Sequence, residues 1–262
     1  MTTRSELRSR RYQVEDPLQA MELYFEKGWT DGLPVVPPTE ERIWAMLEAA
    51  GLEPDHQITF ITNRQAEVTA EKVAVNAVMA GCKPEYMPVV VAAIEGIGDP
   101  KWGYHGPGTS TAGAAVLMVV NGPIARRLQI NSGDNLFGPG FRANATIGRA
   151  VRLVMRNVVG TLPGKLDRAT LGHPGKYTYV IAENEEDSPW PPLHVERGFR
   201  PEQSAVTVMA AEASHQFYNQ LSNAAEGILT TLSDDMRISG NAVGQPQYAV
   251  VLAGEHMRTI AA

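Results

Sequence analysis

Two histidines, four glutamates and an aspartate fall within residues 171–199, LGHPGKYTYVIAENEEDSPWPPLHVERGF. The apolar run YTYVIA ends in Glu183, Glu185, Glu186 and Asp187, and His194 and Glu196 follow the Pro191-Pro192 pair. A strand ending in carboxylates and imidazoles is one way an α/β fold presents a polar site. If the strand continues, alternation puts Glu183 and Glu185 on one face. Such a set suits a borderline divalent metal, with His194, Glu183 and Glu186 as ligands. It equally suits a general acid–base pair whose pKa values are driven apart by proximity. No HExxH-like ligand spacing is present, so a solvated acidic turn with a surface histidine is the competing reading.

A second set is the glycine-rich stretch NSGDNLFGPGFRANATIGRA, residues 131–150. Ser132 and Asn135 precede Arg142 and Asn144 at a predicted helix start. Free N–H groups there, together with the Arg142 guanidinium, would attract a carboxylate or phosphate. Asn121, in the sharp Asn121-Gly122-Pro123 turn, joins these four as a candidate for holding substrate. The stretch matches neither the GxxxxGK[ST] loop nor a GxGxxG following a strand, so no nucleotide cofactor is expected. The alternative is a structural loop in which Asn and Gly supply left-handed conformations.

Cys82 sits between two predicted helices, beside Lys83 and ahead of the proline that restarts the chain, where a thiolate is favoured. That makes it a candidate nucleophile, against the commoner buried cysteine. His105 lies among glycines and aromatics in KWGYHGPGTST, a loop suited to a pocket wall. His173 lies in the similar string GHPGK. Each could be an acid, a base or a ligand, or a hydrogen-bonded loop histidine. His56, His215 and His256 lie in less telling surroundings.

The elements that must position these groups alternate between helix and strand. Residues 17–27 have helical spacing behind Pro17. Residues 28–38 are too rich in Gly and Pro for helix. Thr39 caps a helix running to Ala50, which Gly51 ends, and residues 57–62 form a strand. Helices over 70–80 and 84–97 make an αα-hairpin with Cys82 and Lys83 at its tip. Then come a loop over 98–111, a strand over 114–120, a short helix over 124–128 and a helix over 145–159. Strands over 177–182, 204–210 and 247–252 and a helix over 224–232 complete the pattern, with a short helix from Gly254. The expected class is α/β, a mixed sheet with flanking helices that a partner chain could complete. Residues 1–16 form a flexible N-terminal segment and 17–262 a single α/β domain. If that domain is two-lobed, the break falls near 161–172. A terminal helix of about eight residues is marginal alone, so either its own domain or a partner packs on it.

With 262 residues, 44% of them hydrophobic, the chain can bury a sizeable core. A net charge of −6 argues against nucleic-acid binding. No apolar run is long enough for a membrane span and no apolar leader opens the chain. A single cysteine excludes internal disulfides and fits a reducing, cytoplasmic setting.

The strings GWTDGLPVVPPTEERI, AEKVAVNAVMAGCKPEYMPVVVAAIE, NGPIARRLQINSGDNLFGPGFRANATIGRA and LGHPGKYTYVIAENEEDSPWPPLHVERGF together resemble a bacterial family. The family is uncharacterised, and its members are associated with small proteins carrying a selenocysteine-Gly-Ser-Cys motif. The resemblance spans most of residues 21–258. It implies a companion subunit for a redox-active thiol or selenol partner, since this chain lacks that motif. It also implies that relatives continue past the equivalent of Ala262.

Taken together, the residues point to an enzyme, or the main subunit of a heteromeric one, acting on a small anionic organic substrate. The expected chemistry is carbon–heteroatom bond cleavage of lyase or hydrolase type. On this reading Arg142 and the glycine-rich loop hold the negative group. His105, His173 and Glu183, with His194, move protons or bind a divalent metal, and Cys82 stands in reserve. A homo- or hetero-oligomer is expected. The alternative is a non-catalytic scaffold that positions a thiol or selenol partner.

Overall fold

Capping groups mark the helices of the first half. In the computed structural model, which describes residues 6–238 and 247–262, Asp16 accepts hydrogen bonds from the backbone N–H groups of Leu18 and Gln19. That cap opens α1, Pro17–Glu26. Thr39 caps α2, Glu40–Ala50, whose first turn carries Glu40 and Glu41 against the positive end of the dipole. Gly51 closes α2 in the left-handed conformation at φ 66°. The strand β1, Gln57–Ile61, pairs antiparallel with β2, Ala66–Thr69, a strand absent from the sequence reading. Only one residue of β2 is fully buried, Val68, so its apolar pattern is too short to register.

The hairpin of α3, Ala70–Ala80, and α4, Met87–Gly98, forms as expected, with a 3-10 turn at Pro84–Tyr86 between them. The expected loop over 98–111 contains a second 3-10 turn and a short helix α5, His105–Thr109. The strand β3, Ala115–Asn121, is the centre of a three-stranded sheet. After it come α6, Pro123–Arg127, and the long helix α7, Arg142–Asn157. The next strand, β4, is Val180–Ala182, shorter than expected, and the 3-10 turn at 174–176 ends on Tyr177, which keeps a helical backbone at φ −80° and ψ −48°. The four-residue helix α8, Leu193–Glu196, leads to β5, Ala205–Ala211. β4 runs parallel to β3 and β5 runs antiparallel to it, with Met118 opposite Val180 and Val208. The α/β class is therefore the one the sequence implied.

Close approach of α7 to β4 sets the geometry of the centre. A Cβ on Gly148 would lie 2.4 Å from Thr178 Oγ1 and 2.8 Å from a Val180 methyl. Only glycine allows this contact at unchanged spacing. On the other side of α7, Arg149 makes two 2.8 Å bonds to the Asp31 carboxylate, and Asn157 donates to Trp29 O. These contacts tie down the Gly- and Pro-rich loop over 28–38.

The chain divides into two units: residues 1–183 with 193–213, and residues 184–192 with 214–262. Residues 161–172 lie inside the first. Of the segment 1–16, residues 1–5 lie outside the described residues. Within the rest, the backbone N–H groups of Arg8 and Ser9 donate to the Glu71 carboxylate. The second unit contains α9, Ala225–Ile238, and α10, Gly254–Ala261, bridged through Asn219, which meets Gly227, Thr231 and His256. Residues 247–252 form no strand there. Their β-branched composition records a preference for a partnered, half-buried surface, and Tyr248, Val250 and Val251 remain exposed.

Candidate functional site

The candidate residues fall into three groups, and β3 separates two of them. The first group surrounds the amino end of β3, in the first unit. A cavity of about 20 Å³ lies there, walled by Trp102, Pro107, Ala115, Arg152, Lys176 and Tyr179 among others. That exceeds the ~10–15 Å³ that one water needs. Asp167 accepts from Arg152 Nη2 at 2.6 Å and from Lys176 Nζ at 2.9 Å through both oxygens. The Ala169 N–H adds a fourth bond at 3.1 Å. Burial opposes ionisation of Asp167, but the bonds from Lys176, Ala169 and Arg152 outweigh it and hold the carboxyl below the ordinary aspartate range. Next to this triad, Tyr104 and Thr161 share a buried hydroxyl hydrogen bond of 2.6 Å. Burial pushes the Tyr104 phenol up, against the opposing pull of that bond and of Arg152 and Arg64.

His105 and His173 belong to this group. His105 opens α5, and Arg64 Nη2 lies 3.0 Å from its Nδ1. A guanidinium only donates, so Nδ1 accepts and the ring proton of the neutral form sits on Nε2. His173 Nδ1 accepts from the Gly175 N–H at 3.1 Å, which fixes the same tautomer. Its Nε2 is buried without a hydrogen-bond partner, as is Nε1 of Trp102. The His173 ring stands edge-on to Tyr179, at 5.7 Å between centroids. Close to its Cδ2 lies Gly113, whose N–H donates to Glu212 Oε2 at 3.1 Å. Neither ring lines the cavity itself; chain neighbours do, Trp102 and Pro107 on either side of His105 and Gly175 and Lys176 just after His173.

The second group gathers at the carboxyl ends of β3 and β4, the edge where open parallel sheets present ligands. Asn121 Nδ2 donates to Glu183 Oε2 at 2.6 Å, and the Leu193 N–H donates to the same oxygen at 2.8 Å. His194 follows, only 1% exposed. Asn144 braces the glycine-rich loop from beneath. It accepts from the Asn131 N–H at 2.8 Å and donates to Val180 O at 2.9 Å. Asn135 takes a left-handed φ of 56° and its amide reaches Pro139 O. Ser132 is half-buried in that loop. Asn144 and Asn135 therefore serve loop geometry with the groups expected to hold substrate. Seven residues of β3 put about 20 Å between this edge and the cavity, so Glu183 and the two histidines do not meet on one small substrate.

The third group is Cys82 with Arg142. The expectation that position 82 favours a thiolate is overturned. The residue is 7% exposed and its thiol donates to Thr146 O at 3.3 Å. Burial pushes the thiol up to about 12, against the weaker pull of the Thr146 contact, Arg142 and Arg149. Arg142, expected to hold a substrate anion, instead directs Nε and Nη2 at Gly81 O, 3.1 and 2.9 Å away. It closes the carbonyl end of α3, which Gly81 terminates at φ 88°.

Among the described residues, no three His, Cys, Asp or Glu side chains are grouped to hold a metal ion. Glu183 and His194 belong to the first unit and Glu186 to the second. No described helix is long and apolar enough to cross a membrane. Sequence reasoning singled out the histidines and walls of the cavity but missed Arg152, Asp167 and Glu212. Arg152 is one of four arginines on or beginning α7, and only contact with Asp167 distinguishes it. No family model, curated protein or solved structure matches the chain.

Proposed function

We propose that the chain is an enzyme, or the main subunit of a heteromeric enzyme, acting on a small anionic organic substrate. The reaction class is carbon–heteroatom bond cleavage, of lyase or hydrolase type, at the amino end of β3. The observation carrying this reading is that residues flanking His105, Trp102 and Pro107, and residues following His173, Gly175 and Lys176, wall one cavity. The fixed tautomer of His173 leaves a buried Nε2–H donor with no protein acceptor. That donor suits the heteroatom on which negative charge develops as its bond to carbon breaks. Glu212, which shares Gly113 with His173, is a carboxylate that could take up a proton from carbon or from an attacking water. Glu183, at the far end of β3, anchors α8 to the sheet edge.

The test is turnover of a panel of small hydroxy-, amino- and thio-carboxylates by the wild type and by the double variant His105→Ala/His173→Ala. Loss of turnover with an unchanged melting curve is expected. Full activity in the double variant refutes the assignment.

A second reading, a scaffold for a thiol or selenol partner, draws on one observation. The second unit leaves Tyr218 at 71%, Leu221 at 102% and Ile238 at 74% exposure. Apolar exposure of this degree is a feature of docking surfaces. Co-purification of a small cysteine- or selenocysteine-containing polypeptide, with no turnover by the isolated chain, would favour it.

A further inference from the structure

The cavity at the amino end of β3 is walled by more positive charge than its own carboxylate neutralises. Arg152 and Lys176 both face Asp167, at side-chain exposures of 17%, 15% and 9%. Two cations against one carboxylate leave a net charge of +1 in a largely desolvated place. The contrast with the preceding arginine on α7 is direct. Arg149 is matched one to one by Asp31 at comparable burial, 13% and 8%. Leaving a charge uncompensated away from water is costly unless a counter-ion is drawn in. Arg64, whose Nη2 lies on His105 Nδ1, is not among the residues walling the cavity.

A second observation points the same way. Trp102 walls the same cavity, and its indole N–H is buried with no acceptor. Indole can only donate, so what completes it must be an acceptor. A cavity of about 20 Å³ admits one oxygen-sized group and leaves the body of a ligand outside.

We infer that this cavity takes up one oxygen of the carboxylate of a small organic monoanion, held by Arg152, Lys176 and the Trp102 N–H. The assignment deepens the enzyme reading above and rests on it for the identity of the ligand as substrate. A single excess charge matches a carboxylate better than a phosphate dianion, which would leave one negative charge over. The site replaces Arg142 as the anion holder, since that side chain is engaged with the end of α3.

The test uses acetate, propionate and inorganic phosphate as probes, titrated calorimetrically into the full chain at constant ionic strength. Acetate and propionate should bind, phosphate more weakly. Trp102→Phe keeps the ring but removes the donor, and should weaken acetate binding roughly tenfold. Arg152→Met should weaken it by at least as much. Asp167→Asn, which raises the excess charge, should tighten it; this opposite sign keeps the test informative if Arg152→Met fails to fold. No binding of acetate to the wild type, or binding indifferent to Trp102→Phe and Asp167→Asn, overturns the site. Binding that follows these variants without turnover of any panel carboxylate leaves the anion site standing and removes the enzyme reading.

Discussion

Replacing Gly148 by alanine tests whether the approach of α7 to β4 is as tight as the structure has it. The new methyl would sit 2.4 Å from Thr178 Oγ1 and 3.0 Å from the Thr178 Cα, so part of the obstruction is backbone. Thr178 Oγ1 already donates to Asn144 O at 2.5 Å, a bond the methyl would displace. Overpacking of this kind costs ~1–3 kcal/mol and the displaced hydrogen bond ~1 kcal/mol. Helix propensity works in the other direction, favouring alanine over glycine by ~1 kcal/mol. The balance is a net destabilisation of about 2 kcal/mol. Urea denaturation should show it as a midpoint lowered by roughly 1 M at unchanged slope. Adding Thr178→Ala should recover part of the loss, because it removes the nearest obstructing atom. A Gly148→Ala protein as stable as the wild type would refute the packing argument, since propensity alone would then have decided the outcome.

Two further outcomes follow from buried ionisable groups. Cys82, with its thiol pushed up to about 12, should resist a disulfide reagent in the native protein at mild alkaline pH and react once urea unfolds the chain. Its contribution to stability is complete below the unfolded thiol value and declines as pH rises from there toward 12. Asp167 is depressed in the folded state, so its contribution is complete above the ordinary aspartate value and is lost as pH falls through the lower folded value. Acid titration of stability should therefore lose part of its slope in Asp167→Asn; an unchanged acid limb would count against the triad.

How far the sequence discloses this arrangement depends on whether the information is local. Thr39 and Gly51 bracket α2, and Gly81 ends α3, because caps act over one turn. The continuous apolar run AVLMVV places β3, again because the signal is local. Residues 247–252 have the composition of a strand, yet a strand needs a ladder partner, which composition does not name. The site shows the same division. His105 and His173 stand out by their glycine- and proline-rich surroundings, and chain neighbours of each wall the cavity. Arg152, Asp167 and Lys176 are spaced irregularly and come together only through tertiary contact. Glu183 and the histidines read as one constellation along the chain, but the parallel pairing of β3 and β4 sends them to opposite ends of the sheet. Cys82 has a cationic sequence neighbour, while its burial, which decides its chemistry, comes from packing beside Thr146.

The most direct test of the whole account compares His173→Ala with Glu183→Gln in the carboxylate panel, both confirmed folded by their melting curves. Glutamine at 183 keeps an oxygen for the Asn121 and Leu193 donors, so the sheet edge is preserved. Chemistry at the amino end of β3 predicts that His173→Ala loses turnover while Glu183→Gln retains it. The reverse result, activity lost with Glu183→Gln and kept with His173→Ala, would move the site to the carboxyl edge and contradict the account.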